Sequence, residues 1–344
     1  MSPTAVRPTA LPPDDPAPPP AGGQAAATPL RERVAHQLQR RGAPVVLVLV
    51  AVIASISSST FPTWSNISSI LVGNNFVWLL ALGMTFVIIT GGIDLSVGSM
   101  YALGGVLGAY GAQHGGSLVA LVLPIAVGAA WGTVQGLLVA RARMAPFIVT
   151  LAGLLGARGL MQAISNEGAT TYIVPKNSFF ASLGSGTWVP LLILAVFFAA
   201  GTVLLARTRF GATLTAMGGN ENAAVLMGLP VARAKVLVYL LSGTVAATAG
   251  ALGAARLQSG VTTIGVGYEL TAIASVVIGG TLLTGGSGTV GGTLSGVLLL
   301  GVLHNLIDSH FSQYGSAFTD LVNGAFLAVV VLLQTLLSRT QQLS

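Results

Sequence analysis

Apolar runs separated by short polar connections follow one another along most of the chain. Each run has a length close to that needed to cross the hydrocarbon layer of a membrane, and together they predict about ten transmembrane helices. The runs lie at roughly 44–60, 69–89, 97–112, 118–140, 147–164, 189–206, 236–254, 268–283, 290–305 and 317–337. The pattern therefore predicts an all-α fold, a polytopic transmembrane helix bundle over residues 44–338.

The N-terminal region has a different composition. Residues 1–29 are rich in Pro and Ala and lack an apolar run, which predicts a disordered tail. Residues 30–43 form a basic juxtamembrane segment that contains "RERVAHQLQRR". The first apolar run begins only after this segment and lacks a small-residue cleavage site at signal-peptide distance, so we expect it to remain as an anchor.

Clusters of basic residues lie beside the ends of the predicted spans, and with ten spans and a cytosolic start every cluster falls on the same side of the membrane. They precede the first span, follow the fourth and the tenth, and flank the connection 207–235: Arg31, Arg33, Arg40, Arg41, Arg141, Arg143, Arg207, Arg209, Arg233, Lys235 and Arg339. Because basic residues are enriched on the cytosolic side, both termini and this connection are predicted to be cytosolic, in a multi-pass protein of the cytoplasmic (inner) membrane.

The composition agrees with a protein that contacts the lipid membrane. Only 7% of the residues are charged, whereas about 25% is usual for soluble domains. The formal net charge of +6 follows from the basic residues at the span ends, and since they form no stripe with interleaved aromatics, no nucleic-acid partner is predicted. The chain has no cysteine, which excludes disulfides and thiolate metal sites, and no metal site is predicted.

Small residues recur in the spans at intervals that allow helix backbones to approach closely. Examples are Gly104 with Gly108, Gly292 with Gly296, and the series Gly153, Gly156 and Gly159. They predict a tightly packed bundle and not an open pore. The string "TGGIDLSVG" at 90–98 also resembles "TGGSGTVGG" at 284–292, and such matching glycine-rich breaks in two halves are typical of transporters.

Asp94 is the only charged residue between Pro44 and Ala140. Glycines at 91 and 92 can end the second span, and Asp94 can then cap the third helix by accepting from the amides of Ser96 and Val97. Two alternatives are ion or proton coupling and a gate or interface near the cytosolic helix ends. The residues with this predicted structural or gating role are Gly91, Gly92, Asp94, Ser96 and Gly98.

The connection 207–235 contains a predicted short amphipathic helix. Asn220 can cap this helix, Glu221 lies in its first turn, Gly228 can end it, and Pro230 follows. It is either a surface helix in a solvated loop or a peg that inserts into a cytosolic partner.

Three strings carry a resemblance to a known family. They are "LGMTFVIITGGIDLSVGS", "RFGATLTAMGGNENAAVLMGLP" and "ELTAIASVVIGGTLLTGGSGTVGGTLSGVLLLG". In this order and spacing, over about residues 65–337, they resemble the membrane permease subunit of the ribose-type sugar ABC importers. Within that family, "PFIVTLAGLLGARG" and "AAVLMGL" are most similar to the galactofuranose-type permease.

The resemblance implies an ABC importer permease fold with ten helices that moves a monosaccharide. It implies three kinds of partner: an ATP-binding-cassette ATPase subunit, an extracytoplasmic solute-binding protein, and a second permease copy or a homologous permease. It also implies that residues 218–228 contain the coupling helix that docks in the ATPase. The matching positions are Gly218, Gly219, Asn220, Glu221, Asn222, Ala223, Ala224 and Gly228.

ATP hydrolysis is expected in the partner and not in this chain. The only lysines are Lys176 and Lys235, and neither lies in a Walker A loop, so ATP and magnesium would bind the ATPase subunit and this chain would hold no cofactor. A secondary transporter driven by an ion gradient is an alternative, although the repeat has no acid opposite Asp94. A remote alternative is an intramembrane serine protease that uses "GGSG" at 285–288 with His304 or His310 as base.

The longest predicted outer connection is "SNEGATTYIVPKNSFFASLGSGTW", residues 165–188. Its charges, Glu167 and Lys176, together with the aromatics Tyr172, Phe179 and Phe180, suit transient docking of the binding protein; the alternative is a loop that only covers the bundle. The sequence gives no cluster of acids and aromatics typical of a high-affinity sugar pocket. Three residues, Asn74, Asn75 and Trp78, could face the passage or pack in the bundle.

Overall fold

The computed structural model describes residues 30–73 and 75–311, with 321, 324, 325 and 328, and its regular structure in this part of the chain is helical apart from one isolated β-bridge. The helices are α1 (Leu30–Ser57), α2 (Trp64–Gly73), α3 (Asn75–Ile89), α4 (Val97–His114), α5 (Gly116–Ala140), α6 (Pro146–Ile164), α7 (Phe179–Leu183), α8 (Trp188–Arg207), α9 (Arg209–Gly219), α10 (Glu221–Leu226), α11 (Val231–Leu257), α12 (Tyr268–Ile278) and α13 (Val290–Phe311). The predicted tail at 1–29 and most of the predicted tenth span lie outside the described residues.

Helices α4 and α11 form the centre of the bundle. Helix α11 packs against α3, α4 and α5, and α4 also contacts α5 and α6. Every residue of α4 from Val97 to Ala112 is buried except Tyr110. The central helices are therefore enclosed by protein, and the apolar outer faces of α5, α6 and α8 surround them.

Glycine allows these helices to touch backbone to backbone. A Cβ added at Gly104 would overlap the backbone of Ala247 on α11, and a Cβ at Gly132 of α5 would overlap the Tyr239 carbonyl. Close approach of this kind replaces the hydrophobic effect as a source of helix association in lipid. The predicted tight packing is confirmed at Gly104 and Gly108, whereas a Cβ at Gly159 would have no atom within 4 Å.

The predicted count of ten spans is not confirmed. Among the described residues, five helices are long and apolar enough to cross a membrane, namely α5, α6, α8, α11 and α13, and α2 with α3 can make a sixth span bent by 50°. Helix α4 has 18 residues but is less apolar than these five helices, and it is rich in glycine. This composition suits a helix that protein and not lipid surrounds. Helix α12 has only 11 residues, about half the length needed to span.

Trp78 packs in the protein core. Its side chain is buried within α3 and lies close to Gly301 of α13. The structure therefore supports the packing role for Trp78, while Asn74 and the side chain of Asn75 lie outside the described residues.

Replacing Gly104 by alanine should destabilise the bundle. The added methyl must displace the Ala247 backbone, and such overpacking costs about 1–3 kcal/mol. We expect Gly104→Ala to lower the unfolding temperature of the detergent-purified protein, measured by the fraction that remains monodisperse after heating. The matched control is Gly159→Ala, also in a helix but with open space around the new methyl, and equal stability of the two variants would contradict this packing account.

Candidate coupling site

The Asp94 carboxylate is fully buried in the turn that leads into α4, and both of its oxygens are hydrogen bonded. Oδ1 accepts from the Ser96 amide at 3.0 Å and from the Ser96 hydroxyl at 2.6 Å. Helix α4 begins at Val97, and within the described residues the Val97 amide makes no bond to Asp94. The expected contact with the Ser96 amide is thus present, while the contact with Val97 is not, because Asp94 lies two residues before the N-cap.

The second oxygen of Asp94 joins the turn to a distant helix. Ser242 of α11 donates its hydroxyl to Oδ2 at 2.7 Å, and the Ser96 hydroxyl also lies 3.3 Å from Gln135 Oε1 of α5. The buried Tyr239 side chain lies beside this group, next to Gly92. The prediction that Asp94 caps helix α4 is therefore wrong: its carboxylate closes a turn at Ser96, which is itself the N-cap, and connects α4, α5 and α11.

Sequence reasoning missed Ser242, Gln135 and Tyr239. Each lies in an apolar run and is far along the chain from Asp94, with Ser242 separated from it by 148 residues. A weak signal was available, since polar side chains buried among glycines in a span usually bond to a neighbouring helix.

Three glycine-rich turns meet beside Asp94, and we call this contact the glycine junction. It comprises Gly91 after α3, Gly218 and Gly219 at the end of α9, and Gly285 and Gly286 before α13. The Gly286 amide donates to the Ile89 carbonyl at 2.9 Å, and a Cβ at Gly218 would overlap that same carbonyl.

Two of these turns lie in the repeated strings at residues 90–98 and 284–292. A Cβ at Gly285 would lie 2.8 Å from the Gly91 amide nitrogen and 3.0 Å from the Gly218 carbonyl oxygen. The φ angle of Gly285 is +87°, which a residue with a side chain rarely adopts. The structure thus brings the two halves of the repeat into contact with each other, and the connection 207–235 contacts the second half and the Ile89 carbonyl just before the first half.

The predicted short helix is present as α10. Asn220 is its N-cap and its side chain accepts from the Ala223 amide at 3.0 Å, as its sequence position predicted. The helix ends after Leu226, and Gly228 follows with a φ angle of +76° and its amide bonded to the Val225 carbonyl. The cap and the glycine stop are therefore both confirmed.

Helix α10 exposes an apolar surface at its C-terminal end. The exposed fractions are 55% for Val225, 88% for Leu226 and 67% for Met227, while Ala224 is buried. An ion pair holds the other end, since Lys235 of α11 donates to both carboxylate oxygens of Glu221 at 2.7 Å. The apolar tip is thus presented on a fixed base, which is the arrangement expected of a peg.

The outer connection exposes its charges but not all of its aromatics. Glu167, Lys176 and Phe179 are exposed, whereas Phe180 is fully buried and packs near Gly108. Tyr172 is half-buried and donates its hydroxyl to the Ile164 carbonyl. The prediction that Phe180 contributes to an exposed surface is therefore wrong, because α7 turns this side chain into the bundle.

The protease alternative does not fit the geometry. Ser287 lies in the glycine-rich turn before α13, whereas His304 lies 14 residues after the first residue of that helix, about 20 Å away along its axis. His310 lies further along the same helix. Neither histidine is placed to take a proton from Ser287. Among the described residues, no group of three or more His, Asp or Glu side chains could hold a metal ion.

The structure also brings together polar and aromatic side chains that the sequence did not connect. Arg158 of α6 donates to the carbonyls of Thr262 and Ile264, in the segment that leads to Glu269 of α12. The rings of Tyr101 and Tyr268 pack edge to face with centroids 5.4 Å apart. One acid therefore lies near two tyrosines in this part of the bundle, while the expectation that the chain has no high-affinity sugar pocket stays a prediction.

Comparison with known proteins gives matches over most of the chain. Residues 66–335 match the family described as the branched-chain amino acid transport system / permease component. The ribose import permease protein of Escherichia coli (strain K12) is 38% identical over 312 residues, which is 89% of this chain and 95% of that protein.

Two further relatives are similar over a comparable length. The fructose import permease protein of Bifidobacterium longum is 37% identical and covers 85% of this chain and 89% of its own. The L-arabinose ABC transporter permease protein of Azospirillum brasilense is 36% identical, with coverages of 90% and 91%. The search of solved structures gave no match.

Asparagine should replace Asp94 with little loss of stability, and alanine should not. In Asp94→Asn the side-chain oxygen can still accept from Ser96, and its amide group can donate to the Ser242 hydroxyl. Alanine leaves the Ser96 amide without its partner, at a cost of about 1–3 kcal/mol. We expect normal membrane abundance and thermal stability for the asparagine variant and a clear decrease of both for alanine. If the two variants are equally unstable, the charge and not the hydrogen bonding holds this turn.

Proposed function

The chain belongs to the branched-chain amino acid transport system / permease component family, and on this premise we propose that it is the transmembrane subunit of an ATP-binding-cassette importer for a monosaccharide. The substrate class follows from relatives whose names specify ribose, fructose and L-arabinose. The subunit is not itself an enzyme. The energy of import comes from hydrolysis of ATP, which binds with magnesium to a partner ATPase subunit.

The proposed coupling to the ATPase rests on the structure of helix α10. Its exposed apolar tip at Leu226 suits insertion into a cleft of a cytosolic protein, and the Glu221–Lys235 ion pair fixes its base to α11. The proposed coupling segment is therefore residues 218–228, and its exposed apolar surface comprises Val225, Leu226 and Met227, while Ala224 is buried. The connection 207–235 and both termini are cytosolic in this proposal, in agreement with the positive-inside pattern.

The glycine junction is the proposed route from α10 to the membrane helices. Because Gly218 contacts the Ile89 carbonyl at the end of α3, and Gly218 and Gly219 contact the turn before α13, a displacement of α9 and α10 would move both contacts. Because the glycine backbones pack directly against one another, little free space remains at this contact. We infer that Gly91, Gly92, Asp94, Ser96 and Gly98 transmit the movement into α4 and thereby open or close the passage.

Three further components complete the proposed importer. A second permease copy, or a homologous permease, forms the other half of the passage. A solute-binding protein delivers the sugar at the outer connection, where Glu167 and Lys176 are exposed. The lipid bilayer surrounds the apolar faces of α5, α6 and α8.

The contacts of Asp94 favour import driven by ATP over import driven by an ion gradient. Both carboxylate oxygens are engaged by Ser96 and Ser242 in a site enclosed by protein, so the group acts as a fixed connector and not as a proton carrier. We therefore expect Asp94→Asn, which cannot titrate, to retain sugar uptake.

A charge at the tip of α10 should uncouple the permease from its ATPase. In Leu226→Glu, a carboxylate would enter the apolar cleft and would have to be desolvated without a partner. We expect the ATPase subunit to be lost from the purified complex and sugar uptake to fall at least tenfold, with normal permease abundance. The matched control is Leu257→Glu at the opposite end of α11, which should keep the ATPase subunit. Retention of the ATPase subunit by Leu226→Glu would contradict docking at α10.

Charge reversal on the outer connection should weaken delivery of the sugar. The double variant Glu167→Lys, Lys176→Glu keeps the net charge but inverts the pattern presented to the binding protein. We expect uptake to fall several-fold when binding protein is limiting and to recover when it is in excess, because only encounter and docking are affected. The measurement is the initial uptake rate against binding-protein concentration, and an unchanged curve would argue against docking there.

A further inference from the structure

The segment between α11 and α12, residues 258–267, does not cross back as a helix. Its first residues pair with the outer connection: the Val174 amide donates to the Gln258 carbonyl at 3.0 Å, and the Gly260 amide donates to the Tyr172 carbonyl at 2.9 Å. We call residues 258–267 the inner segment. It begins at the outer connection that contains Glu167 and Lys176.

From there the inner segment follows α4 into the bundle. A Cβ at Gly260 would touch Val106 and Ala109, whereas a Cβ at Gly265 would overlap the Gly98 carbonyl. These two contact points on α4 are about 15 Å apart along the helix axis. Helix α12 therefore starts deep inside the layer, and its 11 residues complete a span of which the first half is not helical.

The Arg158 side chain forms hydrogen bonds with the backbone of the inner segment. Its Nη1 donates to the Ile264 carbonyl at 3.0 Å and to the Thr262 carbonyl at 3.3 Å. The residue lies 12 positions after Pro146, about 18 Å along α6. A charged group at this depth of a hydrocarbon layer about 30 Å thick is costly unless it faces the bundle interior or water.

Glu269 lies in the first turn of α12 on the same side. Its carboxylate reaches the first turn of α4, where a Cβ at Gly98 would overlap Oε2. Arg158 and Glu269 carry opposite charges but form no ion pair within 4.0 Å, since the described side chains show such a pair only between Lys235 and Glu221. Tyr268, next in the chain to Glu269, is half-buried beside Tyr101.

This arrangement has the features of a site on a water-filled passage. Non-helical backbone at membrane depth is tolerated where protein buries it or where it lines a water-filled cavity. The inner segment is not fully buried, since Val266 is 74% exposed. In secondary transporters, helices interrupted near the middle of the membrane form the substrate site, and the inner segment has the same local geometry although import here is driven by ATP.

We propose that Arg158 and Glu269, with the ring of Tyr268, form a contact site for a monosaccharide on the translocation pathway, and that the inner segment leads to it from the outer connection. Arg158 Nη1 already donates to the carbonyls of the inner segment, but a guanidinium has further N–H donors, and with the acceptors of the carboxylate these suit the neighbouring hydroxyls of a sugar. The tyrosine ring supplies an apolar face with a polar end for the sugar ring. This site rests on the proposed function, because it assumes that a sugar passes through the subunit.

The first test asks whether water reaches the inner segment. The chain has no cysteine, so Val266→Cys introduces a single thiol while leaving Arg158 and Glu269 intact. The probe is the charged, membrane-impermeant reagent sulfonatoethyl methanethiosulfonate, applied to the complex in detergent-free proteoliposomes. The control is Leu192→Cys, 65% exposed on α8, which packs on α3 and α13 instead.

If the inner segment lines the translocation pathway, the thiol at 266 should react at least tenfold faster than the thiol at 192, because the reagent requires a hydrated thiolate. Equal and slow reaction at both positions would overturn the proposal that this segment lines water.

The second test asks whether the charges contact sugar. Uptake of labelled ribose, fructose and L-arabinose is compared for the wild type, Glu269→Gln, Glu269→Asp and Arg158→Lys, each with its ATPase and binding protein. Loss of a hydrogen bond to a charged group costs about tenfold in rate or more. We expect Glu269→Gln to lower uptake by about this factor and to change the ratio of rates between sugars, with partial recovery in Glu269→Asp.

Three outcomes distinguish a failure of the proposed function from a failure of the contact site. A wild type that imports none of the three sugars would count against the proposed function. A wild type that imports a sugar, with variants of normal abundance and unchanged rates and ratios, would overturn the contact site alone. A decrease that is equal for all sugars and accompanied by low abundance would assign Arg158 and Glu269 to the fold, and would also overturn it.

Discussion

Backbone-to-backbone packing of α11 against α4 and α5 is the contact on which the rest of the structure depends. In lipid, apolar side chains gain little by leaving one lipid-like environment for another, so the helices associate through close packing and hydrogen bonds. Glycines such as Gly104 and Gly132 remove the side chains that would keep the axes apart. Because α4 is then enclosed by protein, it can be rich in glycine and can begin beside a buried carboxylate.

The same close packing extends from the bundle to the coupling site. Where α3, α9 and the approach to α13 meet, glycines again let the backbones touch, and the Gly286 amide bonds directly to the Ile89 carbonyl. Asp94 adds polar contacts to Ser96 and Ser242, so the turn before α4 is tied to α11 as well. The end of α9, which leads to α10, is therefore in close backbone contact with segments that are connected to the centre of the bundle.

Local signals were sufficient for the fold class and for part of the site. Asn220, Gly228 and the Ser96 amide were identified because a cap or a stop involves residues within three positions of one another. The role of Ser242 was missed because its partner is 148 residues away, and hydrophobic periodicity contains no information on such pairs. The burial of Phe180 was missed for the same reason.

The inner segment shows a different limit of sequence reasoning. An apolar window reports composition and not backbone conformation, so residues 268–283 were predicted as a full span although helix α12 ends at Ile278. Arg158 and Glu269 were overlooked because each is a single charge whose counterpart lies on another helix. Residues of this kind become visible only when the topology places their helices side by side.

The central claim is that the glycine junction and α10 lie on the cytosolic face, opposite the outer connection. Labelling of single cysteines in intact cells tests it directly, with Leu226→Cys on α10 and Lys176→Cys on the outer connection. The account predicts that an impermeant maleimide labels the thiol at 176 in intact cells and the thiol at 226 only after permeabilisation, with protection of 226 by the ATPase subunit. Labelling of the thiol at 226 in intact cells would contradict the account.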